Sequence, residues 1–300
     1  LDAQPTLDVV LTITSDDTGE ATVPASVTFT AADWDTPQTI TVTGTDDDLV
    51  DGTITSTITI AVDDANSDDD FDSVADQTVS VDTTDDDVAG FTIEETDEST
   101  EVDESGSTDT FTIVLDAQPT NDVVVLATAS NDETEAIVSG SITFTSENWD
   151  TPQTVTVTGV DDDLVDGDQT YDITISIVDT ISDDDFDGVA DQSVSSTTLD
   201  DDAPGFTIEE TDAATEVDES GTTDTFTVVL DAQPTSDVVL TITSDDTGEA
   251  TLNSPLTFTS ANWDTPQTVT VTGADDSIID GTITSTITIA VDDANSDDDF

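Results

Sequence analysis

The chain repeats itself at the scale of a whole domain. "LDAQPT" begins at Leu1, Leu115 and Leu230, "WDTPQT" at Trp34, Trp149 and Trp263, and "GFTIEETD" at Gly90 and Gly205. The period of 114 to 115 residues is much longer than a solenoid repeat, whose units share a core with their neighbours, and suits a small domain with its own core. The expected division is a first unit over 1–89 lacking its opening strands, a complete unit over 90–204, and a third over 205–300 lacking its last strand. Segments 8–22 and 237–251 are identical, as are 53–71 and 282–300. The array is therefore expected to have grown by duplicating a two-unit block, and to continue after Phe300 as the first unit does and before Leu1 with a "GFTIEETD" segment.

Within the complete unit the apolar pattern has period two. In "QTVTVTG", Val155 and Val157 share one face, with Thr154, Thr156 and Thr158 on the other; Tyr171, Ile173, Ile175 and Ile177 alternate likewise in "YDITISIV". Further strands are predicted over 91–94, 110–115, 123–127, 141–145 and 193–199, with no helical stripe. About seven short strands, each apolar on one face, predict an all-β chain of tandem immunoglobulin-like antiparallel β-sandwiches in a linear array. The tryptophan that follows each "TFT" strand reads as a corner residue packing the sandwich end, and the threonine rows as a polar outer face.

Charge decides what can hold such a fold together. The chain has 73 acidic residues and no lysine, arginine or histidine, for a formal charge of -73. Charge set against hydropathy alone would make it disordered; the regular β-branched runs argue for folding, and a folded chain of this charge must take cations from solution. Nucleic acid and anionic membrane surfaces are repelled as partners. Cysteine is absent, so thiolate metal sites and disulfides are excluded, as are isopeptide bonds that need lysine. No apolar run approaches the ~20 residues of a membrane span, and no secretory signal opens the chain.

The acids are clustered. If strands alternate between two poles, Glu104, Asp132, the loop acids Asp161, Asp162, Asp163 and Asp166, and the closing triplet Asp200, Asp201 and Asp202 converge on the C-terminal pole. Their counterparts are Asp46, Asp47, Asp48, Asp51, Asp85, Asp86 and Asp87 in the first unit, and Glu219, Asp275, Asp276 and Asp280 in the third. In a linear array that pole meets the next unit's "LDAQPT" loop, so the acids gather at joints. Carboxylates this dense repel unless a cation lies between them, and oxygen ligands in flexible loops favour Ca²⁺. A second candidate site is "SDDDFDGVADQ", where Asp183, Asp185, Asp187 and Asp191 have the D-x-D-x-D-G-x-x-D spacing of calcium loops. Asp68, Asp70, Asp72 and Asp76 repeat the spacing, with Ser73 in place of Gly188, where a strained turn or weaker site is expected. The alternative for each cluster is a solvated acidic loop.

"TEVDESG", the "FTIVL" strand, "SITFTSENWDTPQTVTVTGVDDDLVDGDQTYDITI" and the terminal "DDD" together resemble the Calx-beta-like domains repeated in large bacterial surface proteins. The resemblance spans essentially the whole chain. It implies calcium at one sandwich end, held by positions matching Glu104, Asp132, Asp162, Asp163, Asp166 and Asp200 to Asp202. Ser277 stands where Asp163 does, which sets the third joint apart.

The expected function is that of a structural repeat in a secreted, calcium-stiffened extracellular fibre or adhesin stalk. Its partners are the neighbouring repeats of the same chain and, in a filament, identical chains. A carbohydrate- or ice-binding β-sandwich is the alternative, and would need exposed aromatic or flat threonine surfaces. An enzyme is not expected: cysteine and histidine chemistry is excluded, and three equivalent tryptophans do not describe the single cleft of a paired-carboxylate glycosidase.

Overall fold

The computed structural model describes residues 1–300 other than 131–133, 213 and 280. Nine described strands build the central part of the chain: β1 (Phe91–Glu95), β2 (Thr100–Asp103), β3 (Thr108–Leu115), β4 (Val123–Ala129), β5 (Ala136–Val138), β6 (Ser141–Phe144), β7 (Gln153–Gly159), β8 (Gln169–Ile177) and β9 (Gln192–Leu199). They form a five-stranded sheet in the order β6-β4-β8-β9-β2 and a four-stranded sheet in the order β5-β7-β3-β1. Every pairing is antiparallel except that of β9 with β2, which is parallel. The sheets pack face to face as a sandwich.

The alternation read from the sequence sets which side chains face inward. Val155 and Val157 of β7, Phe111 and Ile113 of β3, and Ile173 and Ile175 of β8 are fully buried in one core cluster. The threonines between them lie on the outer face in cross-strand register, Thr154 opposite Thr112, Thr156 opposite Thr110 and Thr158 opposite Thr108. Trp149 packs against the rim of the core, and its carbonyl accepts from the Leu115 N–H at 3.1 Å, which makes it the corner residue of the sandwich. The expected seven strands become nine because β2 and β5 are three or four residues long. Segments so short show no full alternation and exist through pairing with β9 and β7.

Flanking segments repeat the plan. Residues Phe206–Glu210, Thr223–Leu230, Gln267–Gly273 and Ala250–Leu252 make one sheet, and Leu256–Phe258, Val238–Ser244 and Ile287–Val291 a second. Near the start of the chain, Ser26–Phe29, Val9–Ser15, Ile54–Val62 and Gln77–Thr83 form one four-stranded sheet. There Val79, which matches the buried Val194, is half exposed. Successive sandwiches meet through one recurring contact. Val50 N–H donates to the Gln118 carbonyl at 3.1 Å, and Gln118 N–H to the Asp48 carbonyl at 2.7 Å; Val165 and Gln233 do the same with Asp163, at 3.0 and 2.6 Å.

Two details tie the core to the acidic loops. Tyr171 Oη accepts from Ser196 Oγ and Thr198 Oγ1 at 3.1 and 3.2 Å, and Thr198 Oγ1 also lies 3.3 Å from the Glu135 carbonyl. In "SDDDFD", residues Asp184–Phe186 form a 3₁₀ turn that places Phe186 wholly inside the core. Removing that ring leaves a cavity beneath the turn, so Phe186→Ala is expected to destabilise the central sandwich by about 3–5 kcal/mol, read from denaturant unfolding of the central unit.

Candidate metal centre

Glu104 stands in the turn after β2. Asp103 Oδ1 accepts from Ser105 N–H at 2.9 Å, the Asp103 N–H donates to Ser107 Oγ at 2.6 Å, and Gly106 takes φ 92°. Gly159 lies so close that a Cβ there would meet the Asp103 carbonyl oxygen at 2.1 Å; the end of β7 thus braces the turn and needs glycine. The Glu104 N–H donates to the Leu199 carbonyl at 3.1 Å, fixing the residue beside the end of β9. With that backbone pinned, the side chain is 1 % exposed.

Four chain segments bring carboxylates to this point. Oxygens of Glu104, Asp162 and Asp202 all lie within 4.8 Å of one another. Glu104 Oε2, Glu135 Oε2, Asp166 Oδ1 and Asp202 Oδ2 are buried without a hydrogen-bond partner. Burial first, then the charges of Asp162, Asp200, Glu135 and Asp166, push Glu104 up to about 8. Glu135, Asp166 and Asp202 are also raised, chiefly by burial and then by their acidic neighbours. The chain has no basic side chain to offset them. Orphaned buried oxygens without nitrogen or sulfur donors fit a hard divalent cation such as Ca²⁺, which takes six to eight oxygens.

Asp200 acts as a brace. Its Oδ2 accepts from Gly167 N–H at 2.7 Å and its Oδ1 from Asp202 N–H at 2.8 Å, tying the 160–168 loop to the end of β9. Asp85 repeats this with Gly52, Asp51 and Asp87 in the first unit, and those bonds, Gly52 first, hold it below the usual carboxylate range. Asp161, Asp163 and Asp201 are exposed at the rim. Asp163 enters the joint through its carbonyl, a role that Ser277 can fill equally well. In the first unit, burial and then the charges of Asp51 and Asp47 raise Glu20; burial and Asp47 raise Asp51, and burial and Asp85 raise Asp87. Asp46, Asp48 and Asp86 lie exposed around them. In the third unit Glu219 and Asp276 are half-buried and Asp275 is exposed. Asp132 and Asp280 lie outside the described residues.

Glu135 was not singled out in the sequence, although a signal exists. Glu20, Glu135 and Glu249 each precede the alanine that opens a short strand, in "GEAT", "TEAI" and "GEAT". Surrounding aspartates mask that fixed place.

The "SDDDFD" loops have a different geometry. Asp183 Oδ2 accepts from Thr120 Oγ1 at 2.7 Å and Asn121 N–H at 2.6 Å, and its Oδ1 from Asp185 N–H at 3.2 Å. Asp68 does the same with Thr6, Leu7 and Asp70, and Asp297 with Thr235, Ser236 and Asp299. The bonds to Asp68, led by the Leu7 N–H, hold it down at about 2. The 3₁₀ turn spreads alternate side chains around its axis, because residues two apart on a three-residue turn cannot share a face. Asp185, Asp187 and Asp191 are exposed, as are Asp70, Asp72 and Asp76. None of these acids belongs to a group of three with oxygens within 4.8 Å among the described residues. The expected strain at Ser73 is corrected: Gly188 has no positive φ, and a Cβ there would meet nothing within 4 Å. Asp185 instead adds to the charge felt by Asp51 across the joint, and Asp299 to that felt by Asp166.

No protein-family model and no curated protein matches the chain. Among solved structures it is similar to CBD12 from CALX1.2, at 15% identity over 66% of this chain and 79% of that one, with a TM-score of 0.27. It is also similar to domains 4–9 of the surface layer protein SbsC, at 18% identity over 93% of this chain and 36% of that one, with a TM-score of 0.30. The E. coli chaperone DraB aligns at 10% identity over 62% and 88%, with a TM-score of 0.27. Superpositions this loose carry no argument about the site, which stands on its own geometry.

Two outcomes follow. A carboxyl raised in the fold stabilises it while protonated, so the Glu104 contribution is complete below about 4.5 and is lost as pH rises through about 8. In chelator the melting temperature of the central unit should therefore fall between about pH 5 and pH 8, and calcorimetric scans at those pH values, with calcium as control, check it; saturating calcium should remove the fall. Asp183→Ala strands the Thr120 and Asn121 donors and should cost about 1–3 kcal/mol. That cost should be the same in calcium and in chelator, as denaturant unfolding under both conditions will show.

Proposed function

We propose that the chain is a segment of an extracellular structural array, a fibre or adhesin stalk, in which calcium bound at the C-terminal pole of each β-sandwich stiffens the joint to the next. The units are 1–89, 90–204 and 205–300. The observation that carries this is Glu104: a fully buried carboxylate with an unpaired oxygen, facing acids from three other segments in a chain without a basic side chain. In the central unit the ligands are Glu104, Glu135, Asp162, Asp166 and Asp202, with Asp200 holding the loop in place.

The same loop links the ion to mechanics. Asp162 is a ligand; the next residue, Asp163, accepts the Gln233 N–H at 2.6 Å, and Val165 donates to the Gln233 carbonyl. An ion that orders this loop fixes the edge on which the following sandwich docks, and relieves the repulsion between Asp166 and Asp299 across the joint. Extracellular calcium modules bind at about 10⁻⁴ to 10⁻³ M, so the stiffening belongs to a calcium-rich exterior. The partners are the neighbouring repeats.

Calcium should raise the melting temperature at 0.1 M salt, with a stabilisation of about 2.7 kcal/mol at a hundred times Kd. Glu104→Gln should weaken calcium binding at the central site at least tenfold by calorimetric titration. Small-angle scattering should show the chain extending as calcium is added. A melting temperature and an extension both indifferent to chelation would defeat the proposal.

A further inference from the structure

The chain has four Asp-Gly steps, at 51–52, 166–167, 187–188 and 280–281. Such a step is a reactive point in a polypeptide, because the glycine nitrogen has no Cβ beside it to keep it from the carboxyl carbon of the preceding aspartate. What the fold does with that nitrogen separates them. Gly52 N–H donates to Asp85 Oδ2 at 2.8 Å and Gly167 N–H to Asp200 Oδ2 at 2.7 Å, so in both joint loops a second carboxylate engages the nucleophile. Gly188 N–H has no hydrogen-bond partner among the described residues, and Asp187 and Gly188 are both exposed. Asp280 lies outside the described residues.

The first unit supplies a comparison. Asp72–Ser73 occupies the same place, with Asp72 at φ -56° and ψ -26° and Asp187 at φ -59° and ψ -25°. Each aspartate is held at the end of its 3₁₀ turn by one long bond, Asp72 N–H to the Asp69 carbonyl at 3.4 Å and Asp187 N–H to the Asp184 carbonyl at 3.3 Å. Partial desolvation and then neighbouring aspartates, Asp64 first at Asp72 and Asp179 first at Asp187, raise both carboxyls, which favours the neutral form that can lose water. The two turns differ in the residue that follows. Nothing in the conformation asks for glycine at 188, since its φ is not positive and a Cβ there would meet nothing within 4 Å; its effect is chemical.

We infer that Asp187–Gly188 is a self-modification site, at which the folded chain converts aspartate to isoaspartate through a succinimide. The Gly188 nitrogen attacks Cγ of Asp187 and gives up its proton, and the carboxyl hydroxyl leaves as water, closing a cyclic imide. Water then adds back. Opening at Cγ restores aspartate; opening at the main-chain carbonyl leaves isoaspartate, with the chain running through Cβ and Cγ and the α-carboxylate as the side group. One water is lost and one regained, so the step needs no oxidant or reductant and leaves the mass unchanged. The added methylene falls between two anchors: Phe186, wholly inside the core, and Val189, which packs against that core and whose N–H donates to the Phe186 carbonyl at 3.1 Å. Lengthening the main chain there breaks this closure, so the central sandwich softens as the chain ages while the clasped joint loops keep their aspartates.

The test is to incubate the 300-residue chain at mildly acidic pH and locate isoaspartate by peptide mapping with electron-transfer fragmentation. Asp187 should convert at least tenfold faster than Asp51, Asp72 and Asp166. In denaturant Asp51 and Asp166 should rise to the rate of Asp187, with Asp72 still slow, because the fold alone distinguishes the three Asp-Gly steps. Gly188→Ser should bring Asp187 down to the rate of Asp72, leave the melting temperature of fresh protein unchanged, and remove the fall in melting temperature that ageing brings to the central unit. The inference is overturned if Asp187 converts no faster than Asp51 and Asp166 in the folded chain, or if Gly188→Ser leaves its rate as it was.

Discussion

Everything in this chain is arranged around the absence of a positive side chain. A buried carboxylate elsewhere can meet arginine or lysine; here it can meet only a backbone N–H, a hydroxyl, a side-chain amide or an ion from solution. The structure uses the first two at Asp68, Asp183 and Asp297, each ringed by donors from the loop it clasps. At Glu104, Glu135, Asp166 and Asp202 it leaves oxygens unmatched. The two kinds of site respond oppositely to acid. The clasps are strongest when ionised and weaken as pH falls toward about 2 at Asp68, while the unmatched cluster without metal is most comfortable protonated.

The sandwich was legible from alternation alone, because Val155, Val157, Ile173 and Ile175 could be inward on only one face of their strands. The joints were legible from the repeat, since a linear array must bring "LDAQPT" against the acidic pole. What the sequence hid lay in the aspartates. Spacing made Asp183, Asp185 and Asp187 look convergent, but Phe186 between them is drawn into the core, and the 3₁₀ turn this requires scatters the acids around it. Glu135 was hidden for the opposite reason: it is one acid in a loop full of them, and only burial distinguishes it.

Repetition also shows which features tolerate change. Ser277 replaces an aspartate whose side chain the joint does not use, and Ser73 replaces a glycine whose conformation any residue can adopt. Gly159 and Gly273 have no such latitude, since each lies against the backbone at Asp103 or Asp218. Substitution is thus free where a loop contributes its main chain and closed where two main chains touch.

Tyr171 is the only tyrosine in the chain, and the first and third units carry Ser56 and Ser285 in its place. Its hydroxyl sits one hydrogen-bonded step from the backbone of Glu135, beneath the central carboxylate cluster. Repeated units of one plan ordinarily give overlapping signals; a single isotope-labelled tyrosine would be heard from the middle one alone, which lets one link of the array be followed while its neighbours stay silent.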